Sequence, residues 1–391
     1  MRKLKILLAI GYLFFTIMVQ MTEVEAAETQ ANEVQSEESQ EELQTEWMEQ
    51  FDFSEIEDMM KEIFPDEKLN FKDTVIGLIS GEVEFSLNLI LDMISDQISY
   101  EMRASRSGII HILLIVIVAA LFANFSGMFK STQVAEISFS MLYMLLITIC
   151  LNNFRILVTS ASENIEQLTG FMEVLGPVYF LAVALATGSA TSVSFYHIVL
   201  ILIYIIELLI LSFLLPITQI YMVIRILSEL STEIHLSKFA ELLETIVSWS
   251  LKTLLAGVVG LNVIQGLLSP AIDSVKRSVL TRGGESIPLI GDAIGGVTEV
   301  VLGTAVLIKN GIGVAGMVVC LVICLTPIVQ MAVTALMYQL ITALIQPISD
   351  KRMVNCVGSM ADGSKMLLKI ILTTSVLFLL TIAVVASTSG G

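Results

Sequence analysis

The sequence predicts an all-α membrane protein with about seven or eight transmembrane helices, and three observations support this fold class. First, 55% of the residues are hydrophobic and only 15% are charged. Second, several apolar runs reach the roughly 20 residues that a helix needs to cross a bilayer core of about 30 Å. Third, residues 28–68 hold fifteen acidic side chains against two lysines, so most of the net charge of −17 lies outside the apolar body.

The first 26 residues are predicted to be a signal peptide. An arginine and two lysines precede an apolar stretch at 6–19, and Ala26 and Ala27 provide the small residues of a cleavage site. The stretch is short for a full span, which favours cleavage after Ala26 over the alternative of an uncleaved anchor. Either alternative places the following residues outside the cytoplasm.

The next two regions are predicted to be extracytoplasmic. Residues 27–50 are rich in Glu, Gln and Ser, and they should be disordered because they lack the apolar surface that would offset the loss of conformational entropy. From 51 to 106 apolar residues recur at helical spacing, as at Phe51, Ile56 and Met59. This spacing predicts a small helical region.

Eight apolar segments are candidate spans, and the first two form a pair within residues 107–160. The loop after the second segment carries Glu163, Glu166 and Glu173 and is predicted to lie outside. The segments are 109–128, 137–158, 174–193, 196–217 with an alternative end near Ile226, 246–268, 287–308, 311–345 and 366–385.

The sixth segment is rich in glycine and is weak as a span. If it crosses the membrane, Lys351, Arg352 and Lys365 lie inside, as the positive-inside rule prefers. If it dips in and returns, these residues lie outside and about seven spans remain. Both alternatives stay open at this point, with the crossing segment preferred.

Two blocks, residues 170–270 and 281–391, predict an inverted-topology repeat of two three-helix blocks. The motif Pro-Ile-x-Gln occurs once in each block, and other residues match at the same or nearly the same separation. Three spans per block insert the second block from the opposite side, as in many transporters. The matched pairs are Pro177 and Pro288, Pro216 and Pro327, and Lys252 and Lys365.

Interrupted segments at 175–194 and 287–303 would then form a site near the midplane. The alternative is that their small residues only pack helices together. Charged residues inside spans are expensive and should face a partner or water; Glu207 is the most isolated of them. The candidate translocation or packing residues are Gly176, Pro177, Gly188, Glu207, Pro216, Lys252, Pro288, Asp292, Glu299 and Pro327.

The sequence contains no recognisable catalytic motif. It has no His-Glu-x-x-His and no P-loop, and its four cysteines and three histidines show no ligand spacing. We therefore predict no enzyme activity, no cofactor and no bound metal. The pI of about 4.6 argues against a nucleic-acid partner, which would require a basic face.

One block is long and distinctive. Residues 286–313 read SIPLIGDAIGGVTEVVLGTAVLIKNGIG, and supporting pieces are VIQG at 263–266 and QPISD at 346–350, followed by Cys356. This block resembles the stage III sporulation protein AE family, and the signal peptide, acidic segment and multi-span body fit the same family.

The resemblance implies a setting and a set of partners. It implies a multi-pass protein in the mother-cell membrane that surrounds the forespore of an endospore-forming bacterium. Its partners would be the other proteins of the same sporulation complex, a channel-like assembly needed for forespore development and late forespore gene expression. The chain would be the conduit or transporter-like core; the alternative is a non-conducting scaffold that anchors ring-forming partners. Self-association is a further expectation, and membrane lipid is the remaining contact.

Overall fold

The computed structural model describes residues 48–49, 51–64, 70–80, 87–125, 132–187, 191–228, 236–284 and 291–387. All regular structure within these ranges is helical, which confirms the predicted all-α class. In chain order the helices are α1 Ser54–Ile63, α2 Phe71–Ile79, α3 Leu87–Phe125, α4 Thr132–Thr187, α5 Thr191–Leu209, a π-helix Ile210–Leu214, α6 Leu215–Ser228, α7 Ser237–Gly284, α8 Gly291–Ile345 and α9 Lys351–Ser387. The predicted signal peptide and most of the predicted acidic segment lie outside the described residues.

The two short N-terminal helices pack directly on the long helices. α1 buries Ile56 and Met60 on one stripe, and Asn70 caps α2 by accepting a hydrogen bond from the Asp73 backbone N–H at 3.2 Å. A Cβ atom at Gly170 of α4 would lie 2.9 Å from Met59 Cε. A side chain at this position would require the end of the Met59 side chain to shift.

α4 corrects the predicted loop at 159–173, because the second and third predicted spans form one continuous helix. Ala161, Ile165 and Leu168 are buried at the spacing of one helix face, while Glu163 and Glu173 are exposed on another face. An amphipathic stretch of this kind continues a helix. The predicted interruption at Gly176 and Pro177 is also wrong, because α4 runs through both residues to Thr187.

The fourth predicted span follows its longer alternative, because a helical rod runs past Pro216 to Ser228. A proline inside a helix lacks an N–H and its ring crowds the carbonyl four residues earlier. Only Leu215 separates the widened π-helix Ile210–Leu214 from Pro216. The Leu215 N–H donates to the carbonyl of Ile210. Local widening of this kind is the ordinary form of a π-bulge.

α8 corrects the division of the sixth and seventh predicted spans, since it is continuous from Gly291 to Ile345. Neither a separate crossing nor a re-entrant loop fits an uninterrupted helix through residue 308. Close packing favours glycine at one position of α8, since a Cβ atom at Gly311 would lie 2.7 Å from Ile79 Cγ1 of α2.

Five helical segments of the described residues are long and apolar enough to cross a membrane, fewer than predicted. Two pairs of predicted spans have merged into α4 and α8, and the described apolar stretch of α3, Ile110–Leu121, is short. At 1.5 Å per residue, α4 is roughly 84 Å long, far more than a bilayer core. The five are Ile137–Ala186, His197–Ser228, Ser237–Leu261, Gly303–Ile345 and Lys351–Ala383.

The predicted repeat is not confirmed. The separation that relates Pro216 to Pro327 would place the counterparts of Thr187, where α4 ends, and of Thr191, where α5 begins, inside the continuous helix α8. The first block therefore changes helices where the second block continues one, and the two blocks differ in this segment. Pro216 and Pro327 both lie inside a helix, Pro216 in α6 and Pro327 in α8.

The core lies where α4, α8 and α9 meet. α8 and α9 form a hairpin in which the Asp350 side chain accepts from the Arg352 backbone N–H at 2.8 Å and begins α9. Beside this hairpin the Arg352 guanidinium lies 4.4 Å from the centre of the Phe139 ring at the start of α4. α9 therefore runs parallel to α4, and α8 runs antiparallel to both.

Candidate functional site

Three polar side chains on one face of α4 bond to α8. Asn153 Nδ2 donates to Tyr338 Oη at 3.0 Å, and Ser160 Oγ donates to Gln330 Oε1 at 2.8 Å. Spacings of seven and four residues place Asn153, Ser160 and Asn164 on a common helix face. We call these contacts, together with the Asn164 contact described next, the polar seam.

The third contact of the polar seam completes the backbone of α8. Pro327 has no N–H, so the Ile323 carbonyl four residues earlier lacks its usual helical donor. Asn164 Nδ2 donates to that carbonyl at 3.0 Å, and Asn164 is buried. In a membrane a freed backbone group must find a partner inside the protein, and the Asn164 amide supplies it.

A polar cavity of about 240 Å³ adjoins the polar seam between α3, α4 and α8. Among the described residues its only ionisable carboxyl is that of Glu101, which is 6% exposed and accepts a hydrogen bond from Gln97 Nε2 at 3.2 Å. Burial raises the pKa of the Glu101 carboxyl, and the Gln97 hydrogen bond opposes this shift. The described lining residues are Glu101, Ala104, Gly108, Asn153, Ile156, Leu157, Gln330, Thr334, Met337 and Tyr338.

The predicted site residues do not assemble into one site. Gly176 lines a separate, small apolar cavity with Tyr179 and Leu200, and Pro327 is buried in α8. The exposed residues are Pro177, Pro216 and Lys252. Gly188, Pro288 and the side chains of Asp292 and Glu299 lie outside the described residues, so their predicted role stays a prediction.

Glu207 is less isolated than the sequence predicts. It is half-buried on α5 and close enough to Glu173 and Glu166 of α4 to interact with both electrostatically. Packing α5 antiparallel to α4 brings these carboxyl groups together. Lys252 forms no described ion pair; the cation of α9 that reaches α7 is Lys369, 3.6 Å from Glu244.

The sequence reasoning missed the residues of the polar seam and the cavity. Gln330 is the last residue of the second Pro-Ile-x-Gln motif, but only the prolines of this motif were among the candidate residues. Polar residues at 153, 160 and 164 recur on one face of an apolar helix, and this pattern was available as a signal. Lys309, which is 1% exposed in α8, was also overlooked within the distinctive block.

The four cysteines form two pairs, one between helices and one within a helix. Cys150 of α4 and Cys356 of α9 interact through their side chains, as do Cys320 and Cys324 on α8. All four are free and buried. Within the described ranges, no three His, Cys, Asp or Glu side chains come together as metal ligands.

A bundle of apolar helices, several of them long enough to cross a membrane, defines a multi-pass membrane protein. The model of the Stage III sporulation protein AE family matches residues 69–389, and the chain belongs to this family. It is similar to Stage III sporulation protein AE of Bacillus subtilis (strain 168), with 24% identity over 316 residues that cover 80% of this chain and 79% of the relative. No solved structure matches. The protein thus has a role in sporulation, as the resemblance in the sequence implied.

Proposed function

We propose that the protein is the polytopic membrane component of the complex that links mother cell and forespore, and that it forms the conduit or transporter-like core. The observation that carries the proposal is the polar seam with its adjoining cavity. Polar groups inside a membrane bundle are expensive and tend to mark solute or ion pathways. Here they converge on the interface between α4 and α8.

The proposed orientation places α1 and α2 towards the space between the two membranes. α1 and α2 contact α4 and α8 at Gly170 and Gly311, and the cavity lies between these contacts and the hairpin of α8 and α9. Arg352, at the opposite end of α4, lies with Lys351 at the hairpin of α8 and α9. The positive-inside rule favours the mother-cell cytoplasm for this hairpin.

A second function, a non-conducting scaffold for ring-forming partners, is favoured by the tight packing of α9. A Cβ atom at Gly363 would lie 2.7 Å from Phe154 Cε2 and 3.2 Å from Met222 Sδ. Such packing makes a rigid anchor. It leaves the polar seam as a structural feature, in which each polar group satisfies another.

Replacement of a polar pair by an apolar pair distinguishes the two functions. When both partners of a buried hydrogen bond become apolar groups of similar shape, the effect on stability is close to neutral. A scaffold should therefore tolerate Ser160→Ala with Gln330→Leu, whereas a conduit should lose its polar lining.

The experiment expresses the double variant in a sporulating strain that lacks the native protein. We expect normal accumulation in the membrane and at least a tenfold loss of late forespore gene expression, measured with a forespore reporter. Thr148→Leu, on an exposed face of α4, is the matched control and should be silent. Full reporter activity in the double variant would support the scaffold instead.

A further inference from the structure

We propose that the cavity beside Glu101 binds a small organic cation, a protonated primary amine, with the carboxylate as its counter-ion. The inference deepens the proposed function, on which its biological meaning rests, because it names a class of solute for the same site. Binding itself can be measured on the isolated protein, without any transport.

The charge of the described cavity lining favours a cationic ligand. The other polar residues of the described lining, Asn153, Gln330, Thr334 and Tyr338, are neutral, and no arginine or lysine is among them. Glu101 has no ion pair among the described side chains, although only 6% of the residue is exposed. A buried carboxylate without a compensating charge is strongly unfavourable. A cation in the cavity would supply the compensation.

The nearby basic residues of α3 do not fill this role. Arg103 and Arg106 are exposed, and Arg103 Nε donates to the Ser99 carbonyl at 3.1 Å. On α4, Arg155 is exposed as well. Among the described residues, therefore, no basic side chain pairs with Glu101.

The size and chemistry of the walls favour an organic cation over a bare metal ion. A volume of about 240 Å³ exceeds what one ion needs, since a single water corresponds to about 30 Å³ in the liquid. Ile156, Leu157 and Met337 offer an apolar wall for a short hydrocarbon chain. Glu101 is the one carboxylate among the described lining residues, whereas a Ca²⁺ site uses about six to eight oxygen ligands.

An ammonium group matches the remaining acceptors. It has three N–H donors and no acceptor. The Glu101 carboxylate, the Thr334 hydroxyl and the Tyr338 hydroxyl all line the cavity and can each accept. Thr334 is 6% exposed, so its hydroxyl is shielded from bulk water in the same way as the carboxylate.

The test uses the purified full chain in lipid nanodiscs, with n-butylammonium chloride as the probe. The thermal unfolding midpoint is followed against probe concentration, beside sodium chloride at equal ionic strength and neutral 1-butanol. We expect a saturable upward shift for butylammonium that exceeds both controls, because a ligand that binds only the folded state stabilises it. Glu101→Gln should abolish the shift, and Glu163→Gln, at an exposed carboxylate, should preserve it.

A second readout does not depend on unfolding. A hydrophobic carbodiimide should modify Glu101, and butylammonium should reduce the modified fraction at least fivefold, as measured by peptide mass spectrometry. An equal response to sodium, an undiminished shift in Glu101→Gln, or no protection by butylammonium would each overturn the inference. The proposed function fails separately, if the polar-pair variant retains its reporter activity while butylammonium still binds.

Discussion

The side-chain amide of Asn164 donates to the backbone carbonyl of Ile323 at 3.0 Å, and this carbonyl is the one that Pro327 leaves without a helical donor. One contact therefore joins α4 to α8 and stabilises a proline inside a long helix. It also explains why Pro327 lies inside a continuous α8, where a proline would otherwise kink or break the helix.

This relationship predicts a coupled pair of substitutions. Asn164→Ala should destabilise the protein by about 1–3 kcal/mol, because it leaves a buried carbonyl unsatisfied. In a Pro327→Ala background the new backbone N–H can serve the Ile323 carbonyl, so the same substitution should have a smaller effect. Denaturant unfolding of the four proteins in detergent micelles measures the coupling. Equal effects of Asn164→Ala in both backgrounds would show that the carbonyl does not need the amide.

The packing of α9 predicts a position-specific effect of added methyl groups. Gly363→Ala should destabilise by about 1–3 kcal/mol, because its Cβ would overlap the Phe154 ring. Gly257→Ala in α7 is the matched control, since nothing lies within 4 Å of a Cβ there. The control should be neutral or stabilising by up to about 1 kcal/mol through helix propensity. Phe154→Leu should partly rescue Gly363→Ala, and similar stability of both glycine variants would disprove the close approach.

The docking of α1 on α4 predicts a specific cross-link. In a background without native cysteines, Met59→Cys with Gly170→Cys should react efficiently with a short bifunctional maleimide, because the two positions are in contact. Met59→Cys with Leu181→Cys, exposed further along α4, is the control and should react poorly. Mass spectrometry of the joined peptides provides the measurement. Equal yields in the two pairs would mean that α1 does not pack at Gly170.

The pKa of Glu101 predicts a pH dependence of stability. Burial raises the pKa of its carboxyl from the ordinary value of 4.5, so the folded protein holds this proton to higher pH than the unfolded chain does. Stability from this group is fully present below pH 4.5 and declines as the pH rises from there to the raised pKa. Glu101→Gln should remove this decline. The unfolding midpoint of the two proteins, compared from pH 4 to pH 8, tests it, and parallel curves would contradict it.

Much of the fold follows from the apolar composition and the helical spacing. The all-α class and the longer alternative for the fourth span were predicted correctly. The lengths of α4 and α8 were not, because polarity was taken as the sign of a loop at 159–173. The buried stripe through Ile165 and Leu168 shows that those residues continue a helix whose polar face alone suggested a turn.

The polar seam could be predicted only in part. A pattern of polar residues on one face of α4 marks an interface, but not the partner helix. Asn164 and Ile323 are 159 residues apart in the chain, and the acceptor is a backbone carbonyl that no side-chain pattern reveals. Glu101 lay in a region interpreted as extracytoplasmic, so its burial against α4 and α8 depended on helix packing that the sequence does not state.

The most direct test of the proposed conduit is the access of water to the polar seam. Ser160→Cys and Thr334→Cys, each in a background without native cysteines, are treated in nanodiscs with a charged, membrane-impermeant thiol reagent. Ala161→Cys in the core and Met141→Cys, 70% exposed within the apolar segment Ile137–Ala186, are the controls. A conduit along the polar seam predicts that Ser160→Cys and Thr334→Cys react at least tenfold faster than both controls. Protection of Ser160→Cys and Thr334→Cys to the level of Ala161→Cys would contradict a conduit along the polar seam.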